Sequence, residues 1–173
     1  MIQDNQSALD EARDQLTLVL SFFPRIDAKA SVVLAIDTGM LAVLASNTPA
    51  GHHLPLVAAI LAVLAASLVA ASLWFLYRTA FPSLRGGQQS LVYFREIAGR
   101  TESRFIEDFL AQPKSARTKD ILGQVWRNSE IVKMKFDALR VAFILMALAI
   151  VPWVIAVALF AGHRDVAGSL LVK

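Results

Sequence analysis

Across residues 141–161 every side chain is apolar, and no charge, amide or hydroxyl interrupts the run. A stretch of that length crosses the roughly 30 Å hydrocarbon core of a bilayer as a helix, because a helix satisfies its backbone hydrogen bonds internally. Residues 54–77 form a second such stretch, broken only by Pro55, Ser67 and Ser72 and closed by the aromatic pair Trp74 and Tyr77, which suits a membrane interface. Residues 30–46 form a third, which is short for a span and is extended by the snorkelling stem of Lys29. Composition agrees, since 56% of the chain is hydrophobic, more than the roughly 45–50% that soluble domains carry. The surplus belongs in lipid.

Before the first span, Leu9, Ala12, Leu16, Val19, Leu20 and Phe23 recur at helical spacing among Asp10, Glu11, Arg13 and Asp14. This predicts an amphipathic helix over 5–23, ended or kinked by Pro24. It either packs on the rest of the protein or lies on the membrane surface, and its acidic residues argue against anionic lipid. The polar, acidic opening MIQDNQSALDEARDQ lacks the basic and apolar regions of a removable leader. Between the second and third spans, RGGQQS reads as a turn, SLVYFREIA as a short strand or helix, and TESRFIEDFLA as a helix capped by Thr101. From about Thr118 a helical pattern runs without a stop into the third span, where Pro152 should kink it. The expected fold is therefore an all-α integral membrane protein. Its parts are an N-terminal segment (1–29), a hairpin of spans (30–77, with spans at about 30–46 and 54–77), a polar segment (78–140), a third span (141–161) and a tail (162–173).

Charge orients the spans. Of the 17 Lys and Arg residues, 3 lie in 1–29, none in 47–53, 12 in 78–140 and 2 after 161. The positive-inside rule then puts the N-terminus and 78–140 in the cytoplasm, with 47–53 and the tail outside. The polar segment has 12 basic and 7 acidic residues, a surplus of 5. That surplus serves topology alone or attracts an anionic partner: lipid headgroups, a nucleotide phosphate or nucleic acid.

Chemistry-bearing residues are few. Cysteine is absent, so disulfides and thiolate metal sites are excluded. His52 and His53 have no third ligand nearby and read as a polar turn. No glycine-rich phosphate loop or nucleophile–base arrangement is present, so no enzyme, metal or cofactor is expected. Asp37 stands inside the first span, where a charged carboxylate costs about 2.5–3.5 kcal/mol. Together with Asp27 and Lys29 it is a candidate for a polar seam or an oligomeric pore lining, or else a hydrogen-bonded packing residue; its candidate partners are Ser67, Ser72 or another copy's Asp37. Ala58, Ala62, Ala66 and Ala70 form a row of small residues suited to close helix approach.

Two local patterns and the architecture resemble a known family. RIDAKASVVLAID (25–37) leads into the first span, and WRNSEIVKMKFDALRVA (126–142) leads into the last. With the amphipathic helix, the hairpin and YFREIA, the chain resembles the transmembrane effectors of Pycsar, a bacterial anti-phage system pairing a pyrimidine cyclase with an effector. The resemblance covers nearly the whole chain, and its motifs are Asp-x-Lys-Ala before a span and Asn-Ser-x-Ile-x-x-x-Lys on the final helix. It implies a homo-oligomeric protein of the bacterial inner membrane that binds cUMP or cCMP from a partner cyclase. The bound effector then impairs the membrane, causing growth arrest or abortive infection. Neither catalysis nor nucleic-acid binding is implied. Candidate ligand residues are Arg95, Arg127 and Lys135 for the phosphate, with Arg100 and Arg104 nearby, Tyr93, Phe94 and Trp126 for stacking, and Asn128, which shares a helix face with Lys135. Competing readings are a membrane scaffold that recruits a cytoplasmic partner and a small ion-conducting subunit using Asp37.

The absence of cysteine makes the topology directly testable. With single cysteines at Thr48→Cys or Ser129→Cys, a membrane-impermeant thiol reagent added to spheroplasts should label the first and spare the second until the cells are lysed. The reverse pattern would invert the orientation.

Overall fold

The computed structural model describes residues 2–49, 55–81, 87 and 89–171, the side chains of 2–5 and 164–171 excepted. Every regular element among them is helical: α1 (Ile2–Leu20), α2 (Phe22–Asn47), α3 (Leu56–Ala80), α4 (Phe94–Ala98), α5 (Glu102–Ala111) and α6 (Lys114–Leu171). Three stretches, Gln6–Asn47, Leu56–Ala80 and Lys114–His163, are long and apolar enough to cross a membrane. The fold is the all-helical, three-span, multi-pass membrane architecture that the apolar runs predict. The His52–His53 turn and most of RGGQQS lie outside the described residues.

The helix boundaries follow local chemistry. Pro24 offers no N–H to the Leu20 carbonyl and its ring crowds that oxygen, so α1 cannot run on. The break falls at Ser21, three residues before the proline, where the Ser21 N–H donates to Thr17 and its hydroxyl to the Leu18 carbonyl at 2.7 Å. Pro24 then occupies the first turn of α2, where a missing N–H costs nothing. As a result α2 has 26 residues, about 39 Å at 1.5 Å per residue, and carries Arg25, Asp27 and Lys29 on the helix that forms the first span. SLVYFREIA yields the short helix α4, not a strand. Thr101 caps α5 by accepting from the Arg104 N–H at 3.4 Å. Helix α6 has 58 residues and continues through Pro152.

The chain divides into two compact units, Met1–Ile26 with Pro82–Met134, and Asp27–Phe81 with Lys135–Lys173. In the first, Leu9 and Ala12 of α1 are buried with Ile121 of α6, and Leu16, Val92 and Val125 pack around them. The apolar stripe of α1 is thus used in packing against protein. Lys114 reinforces the contact by donating to Gln6 at 2.8 Å. The segment before α4 docks on α6 through the Leu91 N–H, which donates to Asp120 at 2.8 Å, and through Gln124, which donates to Ser90 at 3.3 Å.

In the second unit each span buries one seam. That seam is Val33, Asp37, Met40 and Leu44 on α2, and Ala58, Ala65, Val69, Ser72, Leu76 and Thr79 on α3. On α6 it is Leu139, Ala142, Met146, Ala149, Ala156 and Phe160. Steps of three, four and seven keep each seam on one face, and the alanines let the backbones approach. The alanine row read from the sequence turns off this seam: a step of four advances 400°, so three steps rotate the row by about 120°. Ala58 is buried, Ala62 and Ala66 are partly so, and Ala70 faces outward.

Gly87 has φ +81°, and a Cβ built on it would stand 2.7 Å from the Tyr93 ring. Gly87→Ala should therefore destabilise the first unit by roughly 1–3 kcal/mol. Gly99→Ala meets nothing closer than 3.5 Å and should stay within about 0.5 kcal/mol of the parent. Thermal unfolding of the purified protein in detergent measures both.

Candidate functional site

Asp37 and Ser72 are both fully buried in the second unit. Asp37 stands on the inner seam of α2, and a carboxyl in that position must find a polar neighbour or bear the cost of insertion in lipid. The Ser72 hydroxyl of α3 lies 2.6 Å from Asp37 Oδ2 and 3.0 Å from the Ala142 carbonyl of α6. One serine thereby joins all three spans. Ser67 does not take part, since its hydroxyl faces outward and donates to Val63 of its own helix. Asp37 Oδ1 is buried with no hydrogen-bond partner among the described residues. Nearer the other end of the spans, Trp153 Nε1 donates to the Met40 carbonyl at 2.8 Å, tying α6 to α2 a second time.

A third tie joins the two sequence patterns. Lys135 of the final-helix motif donates to Asp27 Oδ1 of the Asp-x-Lys-Ala motif at 2.9 Å; its side chain is 7% exposed and that of Asp27 is 55% exposed. An ammonium this buried is stabilised by a counter-anion, here one that stays half in solvent. Of the three seam candidates, Asp27 and Asp37 face α6 or α3. Lys29 is exposed and borders a separate, mostly apolar groove with Phe136 and Phe143. Lys135 is thus in the unit of the spans, apart from the other ligand candidates.

Those others lie in the first unit. Ser90 orders the start of α4 by accepting from the Val92 and Tyr93 N–H groups at 3.1 and 3.0 Å. Tyr93 packs over Gly87 and meets Phe94 edge to face, with centroids 5.0 Å apart. Phe94 and Trp126 are 62% and 61% exposed and present aromatic surface to an incoming group. Arg95 is exposed, Arg127 half-buried, and the Asn128 amide donates to the Gln124 carbonyl at 2.8 Å. The neighbouring arginines Arg100 and Arg104 also have structural partners. Arg100 donates to the Ser90 and Gln89 carbonyls and pairs with Asp108, which also holds Arg104 at 3.3 Å. The sequence did not single out Ser90, Gln124 or Asp120, which fasten the α4 segment to α6; a lone Ser, Gln or Asp in a polar segment carries no periodic signal.

Compared with known proteins, residues 11–162 match the family model described as the Pycsar effector protein domain. No curated protein matches, and no solved structure does.

The three-span tie at Ser72 predicts an asymmetric mutational pattern. Ser72→Ala strands a buried carboxyl and should cost about 1–3 kcal/mol. Ser67→Ala removes an outward hydroxyl and should change stability by less than about 0.5 kcal/mol. Asp37→Asn keeps a hydrogen bond to Ser72 available and should fall between them. Denaturant unfolding in detergent ranks the three.

Proposed function

The chain belongs to the Pycsar effector family, and on that premise we propose that it is a membrane effector switched on by a cyclic pyrimidine mononucleotide, cUMP or cCMP. A partner cyclase makes the nucleotide on phage infection, and the bound effector impairs the bacterial inner membrane, so that growth stops or the cell dies before phage spread. The protein works without catalysing a reaction and assembles with copies of itself. Its N-terminus and residues 78–140 face the cytoplasm, where the nucleotide is produced.

The observation that carries this reading is α6. One unbroken helix supplies Ile121, Gln124 and Asn128 to the first unit and Lys135, Ala142 and Ala156 to the second. A nucleotide phosphate suits the guanidinium groups of Arg95 and Arg127, and its base suits the faces of Tyr93, Phe94 and Trp126. A helix is stiff along its axis, so a rotation imposed near Asn128 is felt at Ala142. Moving α6 there breaks the Ser72 link and exposes the Asp37 carboxyl. Rotation or clustering of this span about Pro152 then opens a leak. The nucleotide must bind the open arrangement more tightly than the closed one, or it shifts nothing.

Dye leakage from liposomes carrying the purified protein tests this, with cUMP, cCMP, cAMP or cGMP added in turn. Leakage with one pyrimidine nucleotide alone is expected. No leakage with any of them, from folded and correctly oriented protein, would move the assignment to a scaffold that recruits a cytoplasmic partner. Trp126→Ala should weaken the response by the roughly 1–3 kcal/mol that stacking one base contributes.

A further inference from the structure

Within the second unit, α2, α3 and Lys135 of α6 line a half-open pocket of about 440 Å³, inside the roughly 300–1,000 Å³ range of small-molecule sites. Its lining is graded. Leu34, Leu73 and Leu76 form an apolar side, Tyr77 adds a ring, and Lys135 and Asp27 form the charged side. The hydroxyls of Ser31 and Thr79, which also line it, donate to the Asp27 and Phe75 carbonyls of their own helices. Lys135 is therefore the cation of the cavity among the described residues lining it. Its counter-anion is unequal to it in burial: the ammonium stem is 7% exposed and Asp27 is 55% exposed.

We propose that this cavity is a phosphodiester site in which an incoming phosphate replaces Asp27 as the counter-anion of Lys135. The exchange is chemically even, because a buried ammonium retains one anion throughout, while the more solvated carboxylate is released to water. The apolar side takes whatever the phosphate carries. Two sources share this chemistry, a cyclic mononucleotide and the headgroup of an anionic phospholipid whose chain follows Leu34, Leu73 and Leu76. In either case binding severs the link between α2 and α6. In its nucleotide form the inference rests on the effector reading above; in its lipid form it stands without it.

The pair makes opposite predictions for its two members. Asp27 competes with the ligand, so Asp27→Asn should tighten binding, whereas Lys135→Gln should weaken it by at least about tenfold and Lys135→Arg should retain it. Leu73→Trp, which fills the cavity and keeps the ion pair, should also weaken binding and covers the case in which Lys135→Gln does not fold. The measurement is equilibrium binding to the detergent-purified full chain, with cUMP and cCMP in one arm. Phosphatidylglycerol against phosphatidylcholine, in nanodiscs read by native mass spectrometry, forms the other. Opposite effects of the two charge variants on a pyrimidine nucleotide assign the site to the messenger. The same pattern on phosphatidylglycerol alone assigns it to lipid and leaves the liposome experiment to decide the effector reading. If both charge variants lower the melting temperature, and neither they nor Leu73→Trp shifts affinity for any probe, the pair is only a structural tie and the proposal fails.

Discussion

A carboxyl placed in the middle of a membrane span must be enclosed, and the enclosure of Asp37 sets how the three spans meet. Its neighbour has to be polar, small enough for a helix interface and free to bond beyond its own backbone. Ser72 meets those requirements, and by reaching Ala142 as well it brings α6 to the same point. The alanines of α3 and α6 follow from this, because hydrogen bonds of 2.6 and 3.0 Å between spans require closely approaching backbones. Elsewhere the outward faces can be any large apolar residue, and they are: Val57, Val63, Leu148 and Val151 are well exposed. In lipid such exposure carries no penalty, so helix association depends on packing and on a few polar contacts.

The same physics explains what the sequence reveals. In water a buried face announces itself by apolar periodicity, and α1 did so: Leu9, Ala12 and Leu16 mark the face that packs on α6. Within the spans both faces are apolar, so the periodic signal vanishes, and the alanine row 58–62–66–70 follows the packed face only as far as Ala66. The buried side is marked by rarer residues, such as Ser72 and Thr79 on α3. The spans, the Thr101 cap and the uninterrupted α6 were legible because each follows from composition or from residues within four positions. The break at Ser21 was less so, since a proline acts on the carbonyl four residues earlier and moves the boundary back.

The candidate site was legible only in part, for a different reason. Asp27 and Lys135 are 108 residues apart, and nothing local to either indicates the other. Each nonetheless lies in one of the two patterns that carried the family resemblance. Their meeting gives those patterns a common physical content, a buried ammonium on one helix and its counter-anion on another. Lys135 shares a helix face with Asn128 of the polar segment, yet that face passes from one unit into the other within seven residues.

Among the described residues, Lys135, Ala142 and Trp153 make polar ties from α6 to the hairpin, and their order along the helix matters. Lys135 and Ala142 come before Pro152, and Trp153 comes directly after it. Pro152 has no N–H to give the Leu148 carbonyl, so the helix is weakest between the second tie and the third. Releasing the first two therefore does not require the third to break. In the proposed switch, residues 135–151 turn or tilt while Trp153 stays bonded to Met40 and Phe160 stays in its core with Leu44, Ala58 and Ala156. A span held at one end and freed at the other is, in that switch, what changes the bilayer without unfolding. The terms the proposed switch must overcome are one half-exposed counter-anion and one serine hydrogen bond, about a few kcal/mol, which a single anionic ligand can supply.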